Sequence, residues 1–157
     1  MEKYFHPLAS TRFFIFSWQT TELRKSNNIT FLPVNKNLFN EALINSSGII
    51  TGAGFETPAE ALKLKKKLMV IPIKGQYEQQ CNAAALEQMG VKKLDKLGDD
   101  FTDQFDMWME SKPAEICYDH ATEDIIAKVM KLSIAHVKEK RNNTAAEEFD
   151  VTLLPSP

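Results

Sequence analysis

Apolar positions in this chain come in two alternating forms, short solid runs and stripes at helical spacing. Arg12-Phe-Phe-Ile-Phe-Ser17 and Asn28-Ile-Thr-Phe-Leu-Pro33 are runs of aromatic and β-branched residues, predicting buried strands, the second stopped by Pro33. The polar segment 18–28 between them reads as a connection with a helical turn around Thr21–Lys25. Leu38, Phe39, Ala42 and Leu43 predict a short helix before a third strand at Gly48–Thr51. Thr57 as N-cap, Pro58 at the first helical position and Glu60 closing a Thr-x-x-Glu capping box predict a second helix. It ends near the lysines at 65, 66 and 67, where cations suit a helix C-terminus. Met69–Pro72 follows as a fourth strand, then a helix over Tyr77–Met89 with Gly90 just past its end, then an edge strand over Val91–Leu94. Residues 99–111 read as a helix with Phe101, Phe105, Trp108 and Met109 on one side, broken by Pro113. A last helix starts near Thr122, with Ile126, Val129, Met130 and Val137 as its inner stripe. Residues 1–11 show little periodicity, and from Asn142 onward the chain reads as a loose polar tail. The alternation predicts an α/β fold: a Rossmann-like, doubly wound parallel sheet over residues 1–141, with 142–157 outside it.

Composition narrows the function classes. The 157 residues fit one domain with a real core, and 43% hydrophobic with 25% charged residues is ordinary for a soluble protein. A formal charge of -2 gives no electrostatic reason to expect nucleic acid or an anionic membrane as partner. No apolar run reaches the roughly 20 residues of a membrane span. Met1-Glu-Lys-Tyr-Phe-His lacks a signal-peptide layout, so the cytoplasm is the expected location. Asn28-Ile-Thr30 and Asn45-Ser-Ser47 then match glycosylation acceptors by chance. Cys81 and Cys117 suggest neither a disulfide framework nor a zinc site, and His6, His120 and His136 lie far apart in sequence.

The candidate chemistry sits between Gly48 and Asn82. Gly52 and Gly54 allow a sharp turn after the third strand, and the helix start behind them presents amide donors and a positive dipole end. That is where an anion binds, although a well-capped helix with no ligand would show the same pattern. Gly52-Ala-Gly54-Phe-Glu-Thr57 also approximates the dinucleotide fingerprint Gly-x-Gly-x-x-Gly. Against that stand Thr57 for the third glycine, two earlier strands, and Lys74 where an acidic ribose partner belongs.

Three blocks in order, Ile-Thr-Gly-Ala-Gly-Phe-Glu-Thr-Pro-Ala-Glu-Ala-Leu (50–62), Val-Ile-Pro (70–72) and Glu-Gln-Gln-Cys-Asn-Ala (78–83), resemble the donor-binding motif of GT-B glycosyltransferases. The stretch is similar to the C-terminal domains of UDP-glycosyltransferases and of the muramyl-lipid N-acetylglucosaminyltransferase, with a bacterial branch nearest. The motif covers residues 48–90, and the order of elements extends the resemblance over most of 12–140. The resemblance implies a nucleotide-sugar donor, UDP-linked by expectation, lying across this domain. It gives the diphosphate to the turn and helix start at Gly54 and Thr57, with Gly52, Ala53, Phe55 and Glu56 beside them as donor-binding residues, and the ribose hydroxyls to Glu60. It gives the sugar to Glu78 and Gln79, and the base to the loop at Pro33 and Val34. It implies no cofactor and no catalytic metal. Glu60 has two competing roles, as helix cap or as ribose partner, and the resemblance favours the second.

The departures from the family pattern carry expectations too. Gly52 replaces a phosphate-contacting histidine of plant-type relatives, and Lys65 and Lys67 replace a glycine and a proline of the helix-to-strand turn. No strand precedes residue 12 to match the one that opens the family's domain, nor is there an acceptor-binding domain carrying a catalytic base. The chain therefore reads as a truncated donor-binding portion, inactive alone and without catalytic residues of its own. In the larger enzyme it would work in the cytoplasm or at the inner face of the membrane. A lost central strand between 12–17 and 48–51 would leave unpaired edges open to another copy of the chain. Two alternatives stand beside glycosyl transfer, a GT-B sugar-nucleotide epimerase and a non-catalytic nucleotide-binding or assembly module.

Overall fold

Four aromatic and β-branched residues, Phe13–Phe16, form strand β1, which pairs in parallel with β3 (Ile29–Leu32), Phe13 opposite Ile29. The computed structural model describes residues 2–116 and 121–148. The chain divides into two units, Met1–Ile116 and Cys117–Pro157.

The first unit carries two three-stranded sheets. One has the order β1-β3-β2, where β2 is Arg24–Ser26; the other has the order β4-β5-β6, from Gly48–Thr51, Lys67–Val70 and Lys92–Lys93. All neighbouring pairs are parallel except β2 with β3. The helices are α1 (Glu2–Phe5), α2 (Lys36–Asn45), α3 (Glu56–Lys63), α4 (Tyr77–Gln88) and α5 (Phe101–Glu110). Strand β5 is buried on both faces, which its run Leu68-Met69-Val70 requires. Met69 joins Phe5, Leu8, Ile29, Phe31, Phe101, Phe105 and Trp108 in one core cluster. Leu68 and Val70 join Ala53, Ala61, Leu62, Ala83, Leu86 and Val91 in another. The fold is thus α/β, with parallel strands between helical layers, as the alternation predicted.

Three local readings change. The turn expected near Thr21–Lys25 is strand β2, because Asn27 adopts a left-handed φ of 51° and folds Arg24–Ser26 back along β3. Residues 2–11 are ordered despite their weak periodicity. Phe5 and Leu8 are buried, and the Asn28 side-chain amide donates to the Phe5 and Leu8 carbonyls at 2.9 Å. The single parallel sheet is two sheets, and β1 and β4, between which a strand was expected to be lacking, belong to different ones.

Gly90 has φ 86° just beyond α4, the left-handed position that favours glycine. In the second unit, α6 runs from Ala121 to Glu148, so the residues from Asn142 continue the helix as far as Glu148, and 149–157 lie outside the described residues. The stripe Ile126, Val129, Met130 and Val137, expected to face inward, is at least half exposed at every position. Among the described residues, no helix is long and apolar enough to cross a membrane.

Candidate functional site

Strand β4 ends at Thr51, and the loop 52–55 carries the chain into α3. A capping box starting at Thr57 would begin the helix at Pro58, but α3 begins at Glu56 with Phe55 as its N-cap. Phe55 already has helical dihedrals and no side chain caps the end, so Thr57 lies inside the helix and the box does not form. The reason is local: Ala59 bonds back to the Phe55 carbonyl at 3.3 Å, adding a turn ahead of Pro58. The helix therefore opens with the Glu56 and Thr57 N–H groups unpaired among the described residues, and Pro58 contributes none. Glu60 is exposed, and its carboxylate makes no hydrogen bond or ion pair among the described residues, which removes the capping role.

This helix start opens onto a cavity of about 440 Å³ lined by Thr51, Gly52, Gly54, Phe55, Glu56, Thr57, Pro58, Ile73 and Gln79. Gln79, near the start of α4, is the keystone. Its Oε1 accepts the Ile73 N–H at 3.0 Å, tying the loop after β5 to the helix. The same oxygen would stand 3.0 Å from a Cβ placed on Gly52, so Gln79 closes that side of the loop. One turn along α4, Asn82 Nδ2 donates to the Ala53 carbonyl at 3.1 Å. Ala53 itself is fully buried in the core, so its side chain faces away from the cavity. Neither Gly52 nor Gly54 uses a left-handed φ, against the sharp turn expected of them. Gly52 is hemmed in by Gln79, whereas nothing lies within 4 Å of a Cβ built on Gly54.

Of the eleven predicted residues, Gly52, Gly54, Phe55, Glu56, Thr57 and Gln79 line one cavity, with Ala53 on the same loop. Glu60, Glu78, Pro33 and Val34 do not line it; Glu60, Glu78 and Val34 are exposed and Pro33 is half-buried. Glu60 stands one turn beyond Glu56 on the same face of α3, about 6 Å along the axis. Ile73 and Asn82 were not singled out by the sequence. Asn82 carried a usable signal, since it lies three residues after Gln79 and so on its face of the helix.

The remaining titratable groups lie elsewhere. His6 sits 3.7 Å from the Glu2 carboxylate, His136 lies on α6, and Cys81 is exposed on α4, while His120 and Cys117 fall outside the described residues. Among the described residues no three His, Cys, Asp or Glu side chains are grouped to hold a metal ion.

A family model described as glycosyl transferase family 1 matches residues 7–109, from just before β1 to the end of α5. No curated protein and no solved structure matches the chain.

Proposed function

The chain belongs to glycosyl transferase family 1, and from that premise we propose that it grips the nucleoside diphosphate of a sugar donor, UDP-linked, during transfer of the sugar to an acceptor hydroxyl. The observation that carries this reading is the uncapped start of α3 opening on the cavity lined by Gly52, Gly54, Thr57 and Gln79. Two free N–H groups and the helix dipole offer fixed positive partial charge to an anion. Such preorganised dipoles stabilise a departing diphosphate without having to reorient as charge develops. From a diphosphate held there, the ribose extends along α3 towards Glu60, whose carboxylate is free to accept its hydroxyls. The base reaches the loop at Pro33 and Val34 beyond β3. The sugar lies towards the start of α4, where Gln79 Nε2 is available as a donor beside Glu78. The acceptor and the base that deprotonates it come, in this reading, from a preceding domain, and the whole works in the cytoplasm or at the inner membrane face.

Thermal-shift titration with UDP, UDP-sugars and GDP-sugars tests it. Nucleoside diphosphates should raise Tm, since a ligand at a hundred times its Kd stabilises by about 2.7 kcal/mol, and Glu60→Ala should weaken the response while folding is retained. Absence of any shift with all three ligand classes would overturn the proposal.

A further inference from the structure

The formal charge of -2 is not spread evenly along the chain. In α6 every charge from Ile125 to Lys138 is positive, carried by Lys128, Lys131 and Lys138. The acidic residues lie outside that stretch, Glu123 and Asp124 in the first turn, Glu139 ahead of Lys140 and Arg141, and Glu147 and Glu148 at the end. Helical geometry sorts the stretch into two faces. The apolar positions run from Leu132 at one margin through Ile125, Val129, Ile126 and Met130 to Ile134 at the other, roughly 200° of the circumference. Ser133 and His136 fall within that arc. The positions of Lys128, Lys131 and Lys138 fall on the remaining arc, with Asp124 and Glu139.

Each of those apolar residues is more than half exposed. Single apolar side chains on a surface are ordinary, but a contiguous face of this kind marks an interaction surface. Its width and its charge narrow what covers it. The seam of a two-stranded coiled coil uses about two positions in seven, so one further helix would leave much of the arc in water. Among the described residues no helix is long and apolar enough to cross a membrane, which rules α6 out as a span. A helix lying in the plane of a bilayer suits both faces. It buries a broad apolar face at the acyl boundary, and its lysines, with apolar stems and mobile ammonium groups, reach anionic headgroups.

We propose that α6, between Ile125 and Lys138, docks on the surface of an anionic lipid bilayer, lying flat with the Leu132-to-Ile134 arc at the acyl boundary. The lysines supply the preference for anionic lipid, each contributing attraction that salt screens. This goes beyond the donor-binding reading and does not rest on it, since lipid is read at α6 and nucleotide at the α3 start.

The test is flotation of the full chain with vesicles of phosphatidylcholine alone or with about one third phosphatidylglycerol, joined to amide exchange over α6. Binding to the anionic vesicles should exceed binding to the neutral ones at least tenfold, fall with added salt, and slow exchange between Ile125 and Lys138. Lys128→Glu with Lys131→Glu should abolish the preference for anionic vesicles. Ile126→Ser with Val129→Ser should abolish binding to both kinds, while exchange at Leu68–Val70 in the first unit stays unchanged. No flotation with anionic vesicles overturns the proposal. So does flotation that both pairs of substitutions leave intact, which would put the lipid contact elsewhere on the chain. Exchange over α6 that slows on concentrating the protein and ignores vesicles would assign the arc to a second copy and overturn it equally.

Discussion

Gln79 Oε1 takes the backbone N–H of Ile73 at 3.0 Å, so one side chain from α4 fixes the loop after β5 against the loop after β4. Because both loops border the cavity, its shape depends on this bond. Gln79→Ala should free the Ile73 N–H and weaken nucleoside diphosphate binding about tenfold, the equivalent of one lost hydrogen bond of roughly 1.4 kcal/mol. Gln79→Glu keeps an acceptor for Ile73 but loses the amide donor and adds a negative charge. It should restore slow exchange at Ile73 without restoring affinity. Parallel measurement of exchange and of ligand-induced thermal shift separates the two roles.

Gly48 is set by packing. A Cβ there would meet the Trp108 ring at 2.7 Å, and Trp108 is held in place by its Nε1 donating to the Leu68 carbonyl at 3.2 Å. The ring cannot swing aside without losing a buried hydrogen bond. Gly48→Ala should therefore cost about 1–3 kcal/mol, read as a lower urea midpoint with an unchanged slope.

These two positions show what the sequence could and could not disclose. Strands β1, β3, β4 and β5 were legible as solid apolar runs, written by burial in β3 and β5 and, in the half-buried β1 and β4, by the packing of Phe13, Ile15 and Ile50 on the core. The C-terminal end of α4 was legible because Gly90 takes a φ that few other residues tolerate. Strand β2 was not, because Arg24-Lys25-Ser26 lies on an exposed edge where charge is an advantage and no alternation is imposed. The α3 start was misread by two residues, since Thr57, Pro58 and Glu60 satisfy a capping rule that the helix overrides by adding Glu56 and Thr57 ahead of Pro58. The cavity's loop sequence was visible, but the tie from Gln79 to Ile73 depends on how two loops meet, and no local pattern encodes that.

The turn from α3 into β5 contains Lys65 at φ 54°, a conformation in which its Cβ crowds the following carbonyl. Backbone bonds from Leu64, Lys65 and Lys66 to the Glu60, Leu62 and Ala61 carbonyls hold it there. Lys65→Gly should relieve about 1 kcal/mol of strain and raise Tm by a few degrees in a calorimetric scan.

Acid should loosen the attachment of α1 to β2. Hydrogen bonds from Arg24 and Ser26 hold the Glu2 carboxyl below the ordinary glutamate range. A folded-state pKa below the unfolded one stabilises at pH values above the ordinary range, and that contribution fades as pH falls through the lowered value. The stability difference between the protein and its Glu2→Gln variant should therefore shrink on acidification below the glutamate range. A difference that grew as pH fell would contradict the sign. Denaturant midpoints measured across that window decide it.

Gly54 separates folding from ligand binding more cleanly than any other cavity residue. Its φ is not left-handed and nothing lies within 4 Å of an added Cβ, so Gly54→Ala should leave the urea midpoint of the free protein essentially unchanged. If a diphosphate lies against the backbone at this loop, the new methyl group occupies its place, and affinity for UDP should fall at least tenfold. Gly52→Ala provides the contrast. Its Cβ would stand 3.0 Å from Gln79 Oε1, so it should disturb the loop in the free protein as well as the bound one. Equal loss of stability in both variants would place Gly54 among packed positions. Unchanged affinity in Gly54→Ala would move the anion away from the α3 start, and with it the ribose from Glu60.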